Sequence, residues 1–327
     1  MSKGRTTVLS IAIVVSAVAF ASPAVAERLY WSKNFGDVVP ELDTTLSTVR
    51  TDGTVLLDLY QRDDVLIGQV AVDSTSRRLY WIENDFFEFK LARGDANSCL
   101  EVDIEGDTQR FALDEKVYWT EFTQHSGAGR ILRANLDFSS VEVVLDGATG
   151  AREIGIDPIG GKIYWYNQVD HTIVRSNLDG SSVEVQFEVQ LLRGMQVDPI
   201  GQKIYWADWS PGGFRRADFD GGNLEELASQ VKTPFVVDLS TGTVYWQAEF
   251  AVGPIWEGRI KRADLDGSNE AIVRQGYEVA STYLAFDSGN EPISLSCGPP
   301  VPAVGLEGAG FLVLLLLGFG ARAVMRS

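Results

Sequence analysis

The dipeptide Tyr-Trp occurs six times, as Tyr30-Trp31, Tyr80-Trp81, Tyr118-Trp119, Tyr164-Trp165, Tyr205-Trp206 and Tyr245-Trp246. The intervals are 50, 38, 46, 41 and 40 residues. Self-similarity at this period means that one supersecondary unit is repeated and buries its apolar faces against copies of itself. A unit of about 40–45 residues fits one four-stranded propeller blade.

Each unit is legible in four parts. Short apolar segments ending in Asp precede the pairs: Val70–Asp73, Phe111–Asp114, Ile154–Asp157, Met195–Asp198 and Phe235–Asp238. The link to the next Tyr is clearest as Asp157-Pro-Ile-Gly-Gly161 and Asp198-Pro-Ile-Gly201, whose Pro and Gly suit a tight reversal. After each pair comes an alternating strand that ends in a turn, as in Ile173-Val-Arg-Ser-Asn-Leu-Asp-Gly180 and Ile260-Lys-Arg-Ala-Asp-Leu-Asp-Gly267. A fourth strand, such as Val183–Phe187, closes the unit. We letter the strands A to D from the axis outward.

These residues resemble the YWTD (low-density-lipoprotein-receptor class B) repeat over roughly Glu27 to Asp287, here in a bacterial-type exported chain with a C-terminal anchor. The resemblance implies an all-β, six-bladed propeller that mostly binds proteins. Two departures stand out. Only Thr120 keeps the family's Thr and only Asp208 keeps its Asp, so the lock between blades that this Asp provides is expected to be weaker or different. The cysteine-rich module that follows receptor propellers is missing, and the only cysteines are Cys99 and Cys297.

Ring closure follows from the termini of the repeat. Tyr30-Trp31 has no A strand before it in the mature chain, and Tyr283–Asp287 is an A-type strand with no Tyr-Trp after it. The C-terminal strand is therefore expected to complete the first blade, which also removes exposed sheet edges between the termini.

Most repeat residues have structural work to do. Each Tyr or Trp packed between blades buries about 150–250 Å², which is roughly 4–6 kcal/mol gross. The Asp residues at the A-strand ends could be taken for a calcium ring, but Pro and Gly at turn spacing favour capping of the reversal. Arg93-Gly94-Asp95 looks like an adhesion tripeptide, yet it falls where other units place their turn. Catalytic signals are thin: there is no G-x-S-x-G, H-E-x-x-H or C-x-x-C. The channel entrances offer Gln69, Arg110, Glu153, Met195 and Pro234, and one carboxylate makes a poor divalent-metal site. No cofactor or metal is expected.

The termini point to export. Lys3 and Arg5, the mainly apolar run Val8 to Phe20 and Ala24-Val25-Ala26 have the order of a secretory signal, placing the mature start at Glu27. Residues 27–297 form the propeller and residues 298–307 a Pro/Gly linker. Residues 308–327 form a transmembrane or sorting tail with its arginines on the cytoplasmic side. The net charge is −17, and removing +2 for the leader and +1 for the tail leaves −20 on the propeller. Such a surface disfavours nucleic-acid backbone and keeps the chain soluble, consistent with a monomer. In an oxidising compartment two thiols invite one disulfide, Cys99 to Cys297, against two separate thiols.

The leading expectation is an exported binding scaffold for a protein or glycan, anchored to the cell envelope by its tail. The alternative is a periplasmic metal-dependent hydrolase or lactonase that uses the channel. With strand A descending, the A–B and C–D turns share a lower face and the B–C and D–A loops an upper one. The upper loops repeat least. Trp209, Trp256, Phe122, His125, His171 and Phe250 are assigned to B–C loops, and Arg193 and Tyr277 to D–A loops. Trp, Tyr and Arg often anchor interfaces, although Trp209 and Trp256 could instead plug the channel.

Overall fold

The computed structural model describes residues 27–297, apart from 35–42, 64, 85–87, 96, 105–109, 123–127, 209–212, 232–233, 253–254, 277–283, 290 and 296. Twenty-four strands form six four-stranded antiparallel sheets. In blade 1, β1 (Arg28–Asn34), β2 (Asp43–Arg50) and β3 (Leu57–Asp63) are strands B to D. Blade 2 is β4 (Leu66–Asp73), β5 (Arg78–Asn84), β6 (Phe89–Gly94) and β7 (Cys99–Ile104). Blade 3 is β8 (Phe111–Leu113), β9 (Lys116–Phe122), β10 (Gly129–Asn135) and β11 (Glu142–Asp146). Blade 4 is β12 (Ala151–Asp157), β13 (Lys162–Asn167), β14 (Thr172–Asn177) and β15 (Glu184–Glu188). Blade 5 is β16 (Leu192–Asp198), β17 (Lys203–Asp208), β18 (Gly213–Asp218) and β19 (Glu225–Glu226). Blade 6 is β20 (Phe235–Asp238), β21 (Thr243–Val252), β22 (Ile255–Asp264) and β23 (Ala271–Gly276).

The ring closes as the termini of the repeat imply. β24 (Leu284–Asp287) pairs with β1 as strand A of blade 1, in the register Arg28 to Asp287 through Trp31 to Leu284. The A strands then touch in sequence around the axis, including β20 with β24 and β24 with β4. The six-bladed propeller expected from the repeat is the fold.

The core explains why the repeat is a dipeptide. Neighbouring residues on a strand point to opposite faces, so Tyr and Trp of one pair serve different seams. Tyr30 packs with Trp81 between blades 1 and 2, whereas Trp31 packs with Tyr245 between blades 6 and 1. The other seams hold Tyr80 with Trp119, Tyr118 with Trp165, Tyr164 with Trp206, and Tyr205 with Trp246. Each pair thus bridges its blade to both neighbours. The repeated Arg of strand C lies opposite the Tyr of its own blade, at Arg93, Arg133, Arg175, Arg216 and Arg262.

Candidate functional site

The inner strand ends are occupied by fold-making contacts. The Gln69 side chain accepts from the Phe111 amide and donates to its carbonyl, at 2.7 and 2.8 Å. Gln196 does the same with Val237 across the seam between blades 5 and 6. Each amide side chain therefore acts as one more strand-like link between adjacent A strands. Glu153, which sits in a bulge of β12, is buried and takes Arg110 Nε of blade 3 at 2.8 Å. The one entrance carboxylate is thus engaged by a guanidinium. No group of three metal-ligating side chains occurs among the described residues.

Five of the A-strand Asp residues cap their turns, Asp73 through the Thr75 and Ser76 amides. Asp157 Oδ1 accepts from Gly160 N, Asp198 Oδ1 from Ile200 N and Gly201 N, and Asp238 Oδ1 from Ser240 N. Asp287 does likewise with Gly289 N and also receives Ser74 Oγ and Arg77 Nη1 across the closing seam. This is the capping role that their spacing indicates. The Asp-Gly turns between strands C and D are built alike. Asp137, Asp179, Asp220 and Asp266 each accept the amide two residues on. Gly180 has φ +82° there, and a Cβ on it would meet the Val144 carbonyl of blade 3. Arg93-Gly94-Asp95 belongs to the same set: Arg93 is buried, and Asp95 caps Asn97 and Ser98.

Acidic residues stand two positions after the Trp in three B strands, as Glu83, Glu121 and Asp208. The residue two after each Trp receives that Trp's indole N–H where it is Glu: Trp81 to Glu83 at 2.8 Å and Trp119 to Glu121 at 3.2 Å. An arginine completes each acidic site, with Arg62 on Glu83, Arg130 on Glu121 and Arg215 on Asp208. Only at Glu83 does the partner come from another blade, because Arg62 and Tyr60 lie on β3 of blade 1. Burial and the Glu83 charge push the Tyr60 phenol up to about 12. Burial also raises Asp208, against the pull of Arg215.

The expected upper-face residues fall into three groups. His171 lies in the B–C turn of blade 4, exposed, with φ +55° and Nδ1 2.9 Å from Tyr166 Oη. Four others lie on strands instead of loops: Phe122 ends β9, Phe250 is in β21, Trp256 is in β22, and Arg193 is in β16. The B–C ladder of blade 6 is the reason for two of them. It continues to Phe250–Glu257, Ala251–Trp256 and Val252–Ile255, so residues assigned to a loop form a longer hairpin. Arg193 pairs with Ala207 before a bulge and is exposed. His125, Trp209 and Tyr277 lie outside the described residues.

On the lower face, Cys99 at the start of β7 is disulfide-bonded to Cys297, with Cα atoms 5.5 Å apart. Between β24 and this bond, residues 291–295 lie under blades 1 and 2. Ile293 is buried and its amide donates to Tyr30 Oη, while Leu295 and Cys297 pack on the same core. Gly94 makes room for this strap, since a Cβ there would meet Cys297 Sγ and Leu295 Cδ2 within 3 Å. The expected signal segment, residues 1–26, and the expected linker and tail, residues 298–327, lie outside the described residues. Among the described residues no helix is long and apolar enough to cross a membrane.

No family model matches the chain. A vitellogenin receptor of Solenopsis invicta is 21% identical over 171 residues, which are 50% of this chain and 9% of that receptor. Among solved structures, TolB from Acinetobacter baumannii superposes with a TM-score of 0.64 at 14% identity, covering 81% of this chain and 67% of that one. A putative TolB from Agrobacterium tumefaciens gives 0.52 at 11% identity over 80% of this chain and 98% of that one. At these identities the structural likeness is one of fold.

Proposed function

We propose that the chain is an exported monomeric scaffold, tethered by its C-terminal tail, that binds a protein or glycan through the upper face of the propeller. The observation that carries this reading is the hairpin of blade 6. β21 and β22 have 10 residues each, against 6 or 7 in the B strands of the other blades. The extra pairs lengthen this hairpin through Phe250 and Trp256, past the span of the other B strands. Loops and hairpins on a rigid frame are where such folds place recognition. The name of the insect relative, a vitellogenin receptor, supports a protein ligand. The acidic propeller argues against nucleic acid. A channel hydrolase finds no support, because Glu153 is held by Arg110 and the A-strand Asp residues are held by turn amides.

The test is alanine at Trp209, Trp256 and Arg193 together. Capture of envelope proteins or arrayed glycans by the full chain should be lost, with the melting temperature within a few degrees of the parent. Unchanged capture, or unfolding in place of lost binding, overturns the site. Calcium or zinc should leave the melting temperature unmoved; a large specific shift would favour the hydrolase.

A further inference from the structure

The two most exposed large apolar side chains among those described are Ile200 and Ile159, at 87% and 71%. They occupy the same place, between Pro and Gly in the A–B turns of blades 5 and 4. Nothing in the turn asks for an isoleucine there. The reversal is held by Asp198 and Asp157, whose carboxylates cap the amides of the following residues. Blades 2 and 6 build the same cap with Thr75 and Ser240 at that place. Leu239 of the blade 6 turn is also exposed, so three successive blades present aliphatic groups beside the lower mouth of the channel. Val183 and Leu224, just after the C–D turns of blades 4 and 5, are also exposed on this face. Soluble surfaces carry single exposed aliphatics routinely, but a contiguous set marks a contact.

The lower face is divided in two. Under blades 1 and 2 it is covered by the strap that ends at Cys297. Under blades 4 to 6 no described segment covers the aliphatic groups. Cys297, the last described residue, is bonded to blade 2, which lies across the ring from blade 5. Eleven residues then reach Gly308, where the uncharged run begins, so that run starts within roughly 40 Å of the strap. We infer that the lower face of blades 4 to 6 rests on a lipid surface, with Ile159 and Ile200 dipping into the headgroup layer opposite the tether. This inference rests on the tail being membrane-bound. Pro158 and Pro199 stiffen the two turns, so little conformational freedom is lost on contact. Asp137, Asp179, Asp220 and Asp266 stand at the C–D turns of the same face. The attraction is therefore apolar and favours neutral over anionic lipid.

The experiment uses the full chain in phosphatidylcholine vesicles. Ile200→Cys carries an environment-sensitive fluorophore, and Val185→Cys, 65% exposed on the outer strand of blade 4, is the control. Spin-labelled lipid should quench the label at 200 strongly and the label at 185 little. If the chain floats with vesicles but both labels are equally unquenched, the inference fails while the tether stands. The patch then belongs to the tail folded back, or to a second copy. If the chain does not float, the tether reading and the inference fall together. Should the labelled variant misfold, amide exchange at residues 200–202 of the unmodified chain decides instead, because it should slow on vesicles and not in detergent-free solution alone.

Discussion

A methyl group on Gly201 would lie 2.3 Å from Asp198 Oδ2, and one on Gly160 equally close to Asp157 Oδ2. These glycines are needed for close approach of a capping carboxylate. Gly201→Ala should therefore cost about 1–3 kcal/mol, the range of overpacking, read as a lower urea midpoint. Gly161→Ala has open space around it and meets only the strain of φ +64°, so it separates the two causes. The outer turns add a pH dependence. The Thr54 hydroxyl on Asp52 and the Ser139, Ser181 and Ser268 hydroxyls on Asp137, Asp179 and Asp266, helped by the turn amides, hold these carboxyls below their ordinary 3.8. Folded values below the unfolded one give stability that is complete above 3.8 and lost as pH falls through the folded values. Asp208 acts in the opposite sense, because burial raises it and protonation relieves that cost. The melting temperature should fall in acid below about pH 4. Asp179→Asn should make that fall shallower.

The strand-B to strand-C units carry the seams, and blade 2 carries the most connected one. Glu83 is buried and accepts from Trp81 Nε1, Tyr60 Oη and Arg62 Nη1. Glu83→Ala strands the indole and the phenol in the interior, at about 1–3 kcal/mol for each buried donor left unpaired. Glu101→Ala, which removes a more exposed partner of the same Arg62, should cost well under 1 kcal/mol, as surface pairs do. Equal losses in the two variants, measured by chemical denaturation, would show that Glu83 does not organise the seam. The hairpin of blade 6 is the element that its own sheet least requires. Shortening it should leave the melting temperature nearly unchanged while removing the recognition proposed above.

For the whole molecule, the critical point is where the circle meets. β24 contributes only four residues; Arg77 of blade 2 pairs with its Asp287, and the strap adds Ile293 beneath Tyr30 and the Cys99–Cys297 bond. The bond links positions 198 residues apart. In the chain-entropy view such a loop is worth roughly 5 kcal/mol, less any residual order in the unfolded chain. Thiol titration in denaturant without reductant should find no free thiol. Reduction, or Cys99→Ser with Cys297→Ser, should lower the melting temperature and speed amide exchange first at Ile293 and in β24. If two thiols titrate, or exchange is unchanged on reduction, the strap is not the closing device.

The sequence alone determined the number of blades, the four-strand unit and the way the ring closes. Those features rest on local periodicity: Tyr-Trp on strand B, Asp at the end of strand A, Asp-Gly after strand C, and an A-type strand left over at Asp287. The capping role of the Asp residues was also legible, because a turn is complete within a few residues. What lay beyond sequence depends on pairs that only the closed ring brings together. Gln69 and Gln196 are ordinary polar residues until the next A strand presents its backbone to them. Gly94 looks like a turn glycine until the strap crosses it. Glu83 and Glu121 become carboxylate sites for indole and arginine only once the strands are in register. Phe250 and Trp256 left the loop because a hairpin ladder continued past the height of its neighbours. Ile159 and Ile200 read as turn residues in sequence, and only tertiary structure decided that they stand exposed among the described residues, since exposure is set by what the rest of the fold leaves uncovered.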